Sequence, residues 1–193
     1  MSESAGMNVI DAIRARRSIG KLEGDVSPQA IRELVELATW APNHRLTEPW
    51  RFTVVMGDVR ERLGQAWGEI AADAQGLRGE ERAESIRRDV VKLMRAPVLI
   101  VVSTRTDHDA VVAEEDFAAT AAAVQNLLLA AYDRGLGAMW RTGRIVREPG
   151  VKAFLGLEVS DRIVAIVYIG QPAMEAPLAR PRDVDGVIRW RTT

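Results

Sequence analysis

The sequence predicts an α+β fold, and three observations predict it. Val98-Leu99-Ile100-Val101-Val102 and the run from Ile163 to Ile169 are continuously apolar, as in strands covered on both faces. Other segments repeat their apolar residues at helical spacing. The 193 residues, 47% hydrophobic and 27% charged, suffice for a sizeable core, and 1–193 reads as one domain.

The elements follow in order. A first helix starts at Asn8, a good N-cap, and places Val9, Ile10 and Ile13 on one face. It closes on Arg14, Arg16 and Arg17, at the end where the helix dipole favours cations. Ser27-Pro28 starts a second helix, with Ile31, Leu34, Val35 and Ala38 repeating until Pro42. Phe52 to Met56 is a short β-branched strand. Asp58 and Glu61 have capping-box spacing, followed by the stripe Val59, Leu63, Ala66, Trp67 and Ile70. A charged helix after Gly79 is expected to bury Ile86, Val90 and Met94, and Pro97 ends it before the first apolar strand.

The Ala-rich helix from about Ala113 to Arg134 stops at Gly135 and is apolar on most sides. It belongs at the centre of the fold or in a subunit interface. Its uncharged stretch, Phe117 to Tyr132, is shorter than the roughly 20 apolar residues of a bilayer span. Gly170 closes the last strand. Pro172, Pro177 and Pro181 then punctuate an extended arm, 171–193, whose apolar end Val187-Ile188-Arg189-Trp190 suits a reach across another subunit.

Reactive side chains are scarce. Zero Cys excludes disulfides, thiolate nucleophiles, iron–sulfur clusters and cysteine-ligated zinc. Two His, far apart, leave little room for a histidine-rich metal site, and no metal is expected. The balance of 26 Lys and Arg against 27 Asp and Glu gives no reason to expect nucleic acid. Met1 to Met7 has neither a basic n-region nor an apolar h-region, so a cytoplasmic location is the default. There is no nucleophile elbow and no phosphate loop. Gly135-Leu136-Gly137 follows a helix and has Trp140 where a dinucleotide fingerprint needs its third Gly. Glu114, Glu115 and Asp116 are explained by helix initiation.

Three segments rise above this background. Arg16-Arg17-Ser18 offers guanidinium forks and a hydroxyl that suit a phosphate, although a solvated basic helix end explains the same residues more simply. The loop from Trp40 to Trp50 combines two prolines, two Trp, Asn43, His44 and Arg45. It suits a planar heteroaromatic ligand with polar edges, or equally a proline-bounded connection whose Trp cap the core. Gly135 to Gly143 lets backbone approach a ligand and adds Trp140, Arg141 and Thr142, yet a C-cap with an ordinary connection accounts for it too.

In their order and spacing these segments resemble the nitroreductase family of FMN-dependent oxidoreductases, in its short single-domain bacterial branch. The shared features are Arg-Arg-Ser after the first helix, Ala-Pro-x-His…Pro-Trp before the first strand, the long central helix, and Gly-x-Gly-x-x-Trp-Arg-Thr-Gly. The resemblance implies a three-layer α+β fold. Its central, mainly antiparallel sheet would be flanked by helices, and the C-terminal arm would extend to the partner subunit. It implies a homodimer with an FMN in each interface groove. Arg16, Arg17 and Ser18 would hold the phosphate and ribityl chain, and Trp140, Arg141 and Thr142 would lie along the flavin. His44 and Trp40 would come from the partner, and Ala130 to Gly135 would receive the nicotinamide cofactor. Arg182, or else Arg180, would be the tail cation that many members place on the phosphate.

The implied reaction is a ping-pong one. NADH or NADPH reduces the flavin, then a nitroaromatic, quinone or related conjugated acceptor takes the electrons. The flavin carries the chemistry, so no catalytic side chain is expected. Flavin fragmentation, dehalogenation or dehydrogenation on the same fold, and a non-enzymatic FMN-binding dimer, are the alternatives. Two departures stand out: Glu48 replaces the Gln of many relatives, and Gly20-Lys21 shifts the cation that often follows Arg-x-Ser. His108 lies in an acidic loop, which leaves His44 as the histidine expected at the flavin.

Overall fold

A computed structural model describes residues 8–106 and 109–192. The expectations placed on Met1 to Met7 and on His108 lie outside the described residues.

Five strands form one sheet: β1 (Leu22–Glu23), β2 (Trp50–Met56), β3 (Val98–Thr104), β4 (Gly137–Arg141) and β5 (Arg162–Pro172). Every ladder is antiparallel. β2 pairs with β3 and β3 with β5, while β4 and β1 pair with β5 at Ile166–Gly170 and at Gln171–Pro172. The helices are α1 (Val9–Ala15), α2 (Pro28–Ala38), α3 (Asp58–Ala74), α4 (Gly79–Leu93), α5 (Ala110–Asp133) and α6 (Pro149–Phe154). Among the described residues no helix is long and apolar enough to cross a membrane.

The alternation of β3 builds three layers. Val98, Ile100 and Val102 pack with Leu34 of α2 and Val124, Leu127 and Ala131 of α5. Leu99 and Val101 pack on the opposite face with Leu63, Leu93 and Val151 of α3, α4 and α6. All five strand residues are fully buried, each contributing about 1.5–3 kcal/mol of transfer free energy. The α3–α4 hairpin closes tightly because Gly64 and Gly68 face α4. A Cβ there would lie 2.8 Å from Val90 Cα and 2.9 Å from Ile86 Cα.

Several boundaries differ from expectation for physical reasons. Gly57, with φ 56°, is the N-cap of α3, so Asp58 is helical and complements the dipole instead of capping. Leu93 is buried, whereas Met94 is the exposed C-cap of α4. β5 continues through Gly170, where a Cβ would meet Pro97 at 2.7 Å, and Gln171 and Pro172 pair with Glu23 and Leu22. The extended segment therefore begins after Pro172. It is exposed apart from half-buried Ala173, with one 3-10 turn at Asp185–Val187. The apolar stripe of α1 is also uncovered: Val9, Ile10 and Ile13 are exposed, and only Ala12 is buried.

Candidate functional site

The Arg16-Arg17-Ser18 segment leaves α1 with its backbone extended at Arg16. It then runs beside β4: Ser18 bridges Ala138, and Ile19 N–H donates to the Ala138 carbonyl at 3.1 Å. Gly137 keeps this approach close, since a Cβ there would displace the end of the Leu22 side chain and press on Ile19 at 3.3 Å. Two motifs distant in sequence thus meet. They share a cavity of about 130 Å³ lined by Arg16, Arg17, Tyr132, Gly135, Gly137 and Met174. Arg17 donates to the carbonyls of Arg14 and Arg16, both at 2.7 Å. Arg16 is half-buried and has no carboxylate partner among the described residues. Burial, and secondarily the charge of Arg17, hold its pKa below the usual guanidinium value. A cation so placed is stabilised by an incoming anion.

β4 sends its side chains to both layers. Trp140 packs against the α2–α5 layer, and Met139 against the α3–α4 layer. The Arg141 guanidinium lies 5.6 Å from the Tyr168 ring centroid. These two residues share a cavity of about 170 Å³ with Trp67, Asp89, Lys92 and Thr142. Burial pushes the Tyr168 phenol up to about 12, against the opposing charges of Arg141 and Arg95, so it remains a protonated donor at neutral pH. Asp89 is buried beside Lys92, with Nζ to Oδ1 at 2.6 Å. Thr142 also borders a larger cavity of about 640 Å³.

The loop after α2 forms a separate group. Trp50 is buried at the start of β2, whereas Trp40 is 77% exposed and donates Nε1–H to Glu36 at 2.6 Å. Arg45, Leu46 and Glu48 have φ of 57°, 53° and 43°, a left-handed backbone that costs non-glycine residues roughly 1–2 kcal/mol each. Side chains offset that strain. Asn43 Oδ1 accepts from Glu48 N–H at 3.0 Å, Thr47 Oγ1 donates to Asp116 Oδ1 at 2.6 Å, and His44 Nδ1 lies 2.7 Å from Glu115 Oε2. Glu115 and Asp116 therefore anchor the loop to α5. Helix initiation falls to Asp109, whose carboxylate accepts from Val111 and Val112 N–H.

One chain thus brings Arg16, Arg17 and Ser18 onto the strand carrying Trp140 and Arg141, with Thr142 next. Trp40 and His44 sit apart, beside α2 and α5. Arg180 and Arg182 are exposed in the tail, and no contact among the described residues joins them to Arg16. Lys21 is exposed, its carbonyl accepting from Ala173 N–H at 3.0 Å. Sequence reasoning passed over Tyr168, although a lone phenol inside a wholly apolar strand was a signal. It also passed over the cations after Thr142, which carry no motif.

The family model described as the nitroreductase family matches residues 13–171. YfhC of Bacillus subtilis (strain 168), provisionally named an NAD(P)H nitroreductase, is 34% identical over 174 residues, 89% of this chain and 88% of its own. The crystal structure of a nitroreductase-like family protein from Bacillus cereus has a TM-score of 0.88 at 30% identity, covering 100% of both chains. A provisionally assigned nitroreductase from Desulfovibrio desulfuricans, crystallised in complex with FMN, has a TM-score of 0.73 at 27% identity, again covering 100% of both.

Proposed function

The chain belongs to the nitroreductase family, and from that premise we propose that it is an FMN-dependent oxidoreductase using NADH or NADPH to reduce nitroaromatic, quinone or related conjugated acceptors. We take it to be a cytoplasmic homodimer of single-domain subunits, with FMN at the subunit interface. The observation that carries the reading is Arg16, a half-buried guanidinium without a carboxylate partner among the described residues, beside Arg17 and Ser18 on the edge of β4.

The donor set fits the cofactor. Arg16, Arg17 and Ser18 would hold its phosphate and ribityl chain, each charge-assisted bond worth roughly 1.5–3 kcal/mol. Trp140, Arg141 and Thr142 would line the ring, and Arg182 or Arg180 would bring a tail cation to the phosphate. Tyr132 and Gly135, which border the Arg16 cavity, fall in the Ala130–Gly135 stretch expected to receive the nicotinamide. Trp40 and His44 sit apart from Arg16, as groups serving the partner's flavin would. The uncovered apolar residues of α1 and Trp190, 81% exposed, support a dimer.

Bound FMN supplies two-electron chemistry, passing a hydride equivalent from donor to acceptor. The chain's own task is to hold the phosphate, orient the ring and leave one face open to donor and acceptor in turn. For a nitro acceptor the balance is one NAD(P)H and one proton consumed. One N–O bond breaks, water leaves, and the nitroso compound and oxidised nicotinamide remain. The test is anaerobic titration of purified protein with NADH and with NADPH while the flavin absorption is followed. Bleaching by at least one nucleotide and recovery on adding a nitroaromatic are expected. Protein that takes up no FMN would overturn the reading.

A further inference from the structure

We propose that the preferred acceptors are planar conjugated compounds bearing an anionic group, in the simplest case a carboxylate, and that the cavity beyond Thr142 binds that group. The proposal rests on the FMN reading above and names the substrate class it leaves open. The cavity, about 640 Å³, is lined by Arg144, Arg147, Lys152 and Arg162, together with Phe117 and Thr142. That is the size range of small-molecule sites.

The four cations are not a consequence of composition, since the chain has 26 basic residues against 27 acidic ones. No carboxylate lines the cavity among the described residues. Arg144 reaches Glu148 only at 3.6 Å, and Lys152 donates to a carbonyl, that of Val159, at 2.9 Å. Arg147 and Arg162 have no acidic partner among the described residues. The Arg162 guanidinium lies 3.7 Å from the Phe117 ring centroid, a stack that fixes its plane and leaves its donors free for a bidentate contact. Buried β5 forms the wall behind them, and a low-dielectric wall behind clustered like charges focuses their field on an incoming anion.

Position selects the acceptor over the electron donor. Thr142, where the flavin ring is proposed to lie, borders this cavity, so a ring stacked there opens onto the space the cations line. The extra phosphate of NADPH is instead at the far end of a dinucleotide from its nicotinamide. Any electron transfer is the balanced reduction already given; the cavity only binds and orients.

The experiment uses FMN-loaded protein with two nitroaromatics that differ in one substituent, 4-nitrobenzoate and 4-nitrobenzyl alcohol. Because kcat follows the electron affinity of the ring, the comparison is made on KM. It is also made on equilibrium binding to the oxidised protein, read from the flavin absorption. A KM about tenfold lower for the carboxylate is expected, with Arg147→Gln/Arg162→Gln bringing the ratio close to one and weakening 4-nitrobenzoate binding about tenfold. Circular dichroism and FMN stoichiometry check that the variant is folded, and Lys152→Gln, with a smaller shift in the same direction, serves if it is not. Equal KM values for the two acceptors in the parent protein would overturn the proposal while leaving the FMN reading intact. A variant that alters NADPH-over-NADH selectivity and leaves the acceptor ratio unchanged would reassign the cavity to the donor's phosphate and overturn it too. Parent protein without FMN would overturn both readings.

Discussion

β3 and β4 belong to the same sheet and are built on opposite terms. β3 is buried on both faces along its whole length, its side chains shared between two helical layers. β4 pairs with β5 along one side and meets the Arg16–Ser18 segment by a single bridge at Ala138. Its Arg141 remains half-exposed over Tyr168. The first strand stores stability, and the second presents donors at a cavity edge. Stability and binding are therefore separable by substitution, and the contrast can be broken from either side.

The largest effect is expected in the interior. Leu99→Ala, at a fully buried position, should cost about 2–5 kcal/mol through lost burial and the cavity left behind. Urea denaturation of the flavin-free protein measures this, and a loss below 1 kcal/mol would mean that the two layers collapse around the gap. On the binding side, Arg16→Ala should raise the FMN dissociation constant by about ten- to a hundredfold, since a charge-assisted contact contributes roughly 1.5–3 kcal/mol. The same variant should leave the urea midpoint of flavin-free protein almost unchanged, because Arg16 has no carboxylate partner to strand among the described residues. Equal losses in FMN affinity and in intrinsic stability would erase the distinction between the strands.

The contrast also explains what was legible in the sequence. Val98 to Val102 and Ile163 to Ile169 announce themselves because strands buried on both faces need apolar residues at every position. α2 and α5 were readable from a Ser-Pro start and an Ala-rich run ending at Gly135. β4 was not, since Gly-Ala-Met-Trp-Arg has no β-branched run and is extended because β5 offers an open edge. The Arg-Arg-Ser, His44 and Trp-Arg-Thr groups were found as motifs, but their arrangement was not. That Arg16 meets β4, while His44 is tied to Glu115, follows from contacts between segments far apart in the chain. Glu115 and Asp116 were misread because local rules credit acids early in a helix to its dipole, whereas these two bind a loop.

That loop provides the next test. Asp116→Ala removes the buried acceptor of the Thr47 hydroxyl and should cost roughly 1–2 kcal/mol, read from urea denaturation. The effect should be smaller than that of Leu99→Ala, because Thr47 is exposed and water replaces part of the bond.

The smallest expected effect is at Glu48, and its sign is the informative part. Its backbone is left-handed, φ 43°, and the following residue is Pro49, which narrows the choices further. Glu48→Gly should relieve roughly 1–2 kcal/mol of strain. Against this stands about 0.5–1 kcal/mol for the added freedom of the unfolded chain. The net expectation is a gain of about 0.5 kcal/mol in urea denaturation. If strain is what the Asp116–Thr47 bond offsets, the two changes must couple. In Glu48→Gly protein, Asp116→Ala should cost more than in the parent, where loss of the bond also releases strain, by at least about 0.5 kcal/mol, the level at which independent sites cease to add. Strict additivity would mean that the loop keeps its left-handed backbone when the bond is lost, and that the Asp116–Thr47 bond is not what holds that strain in place.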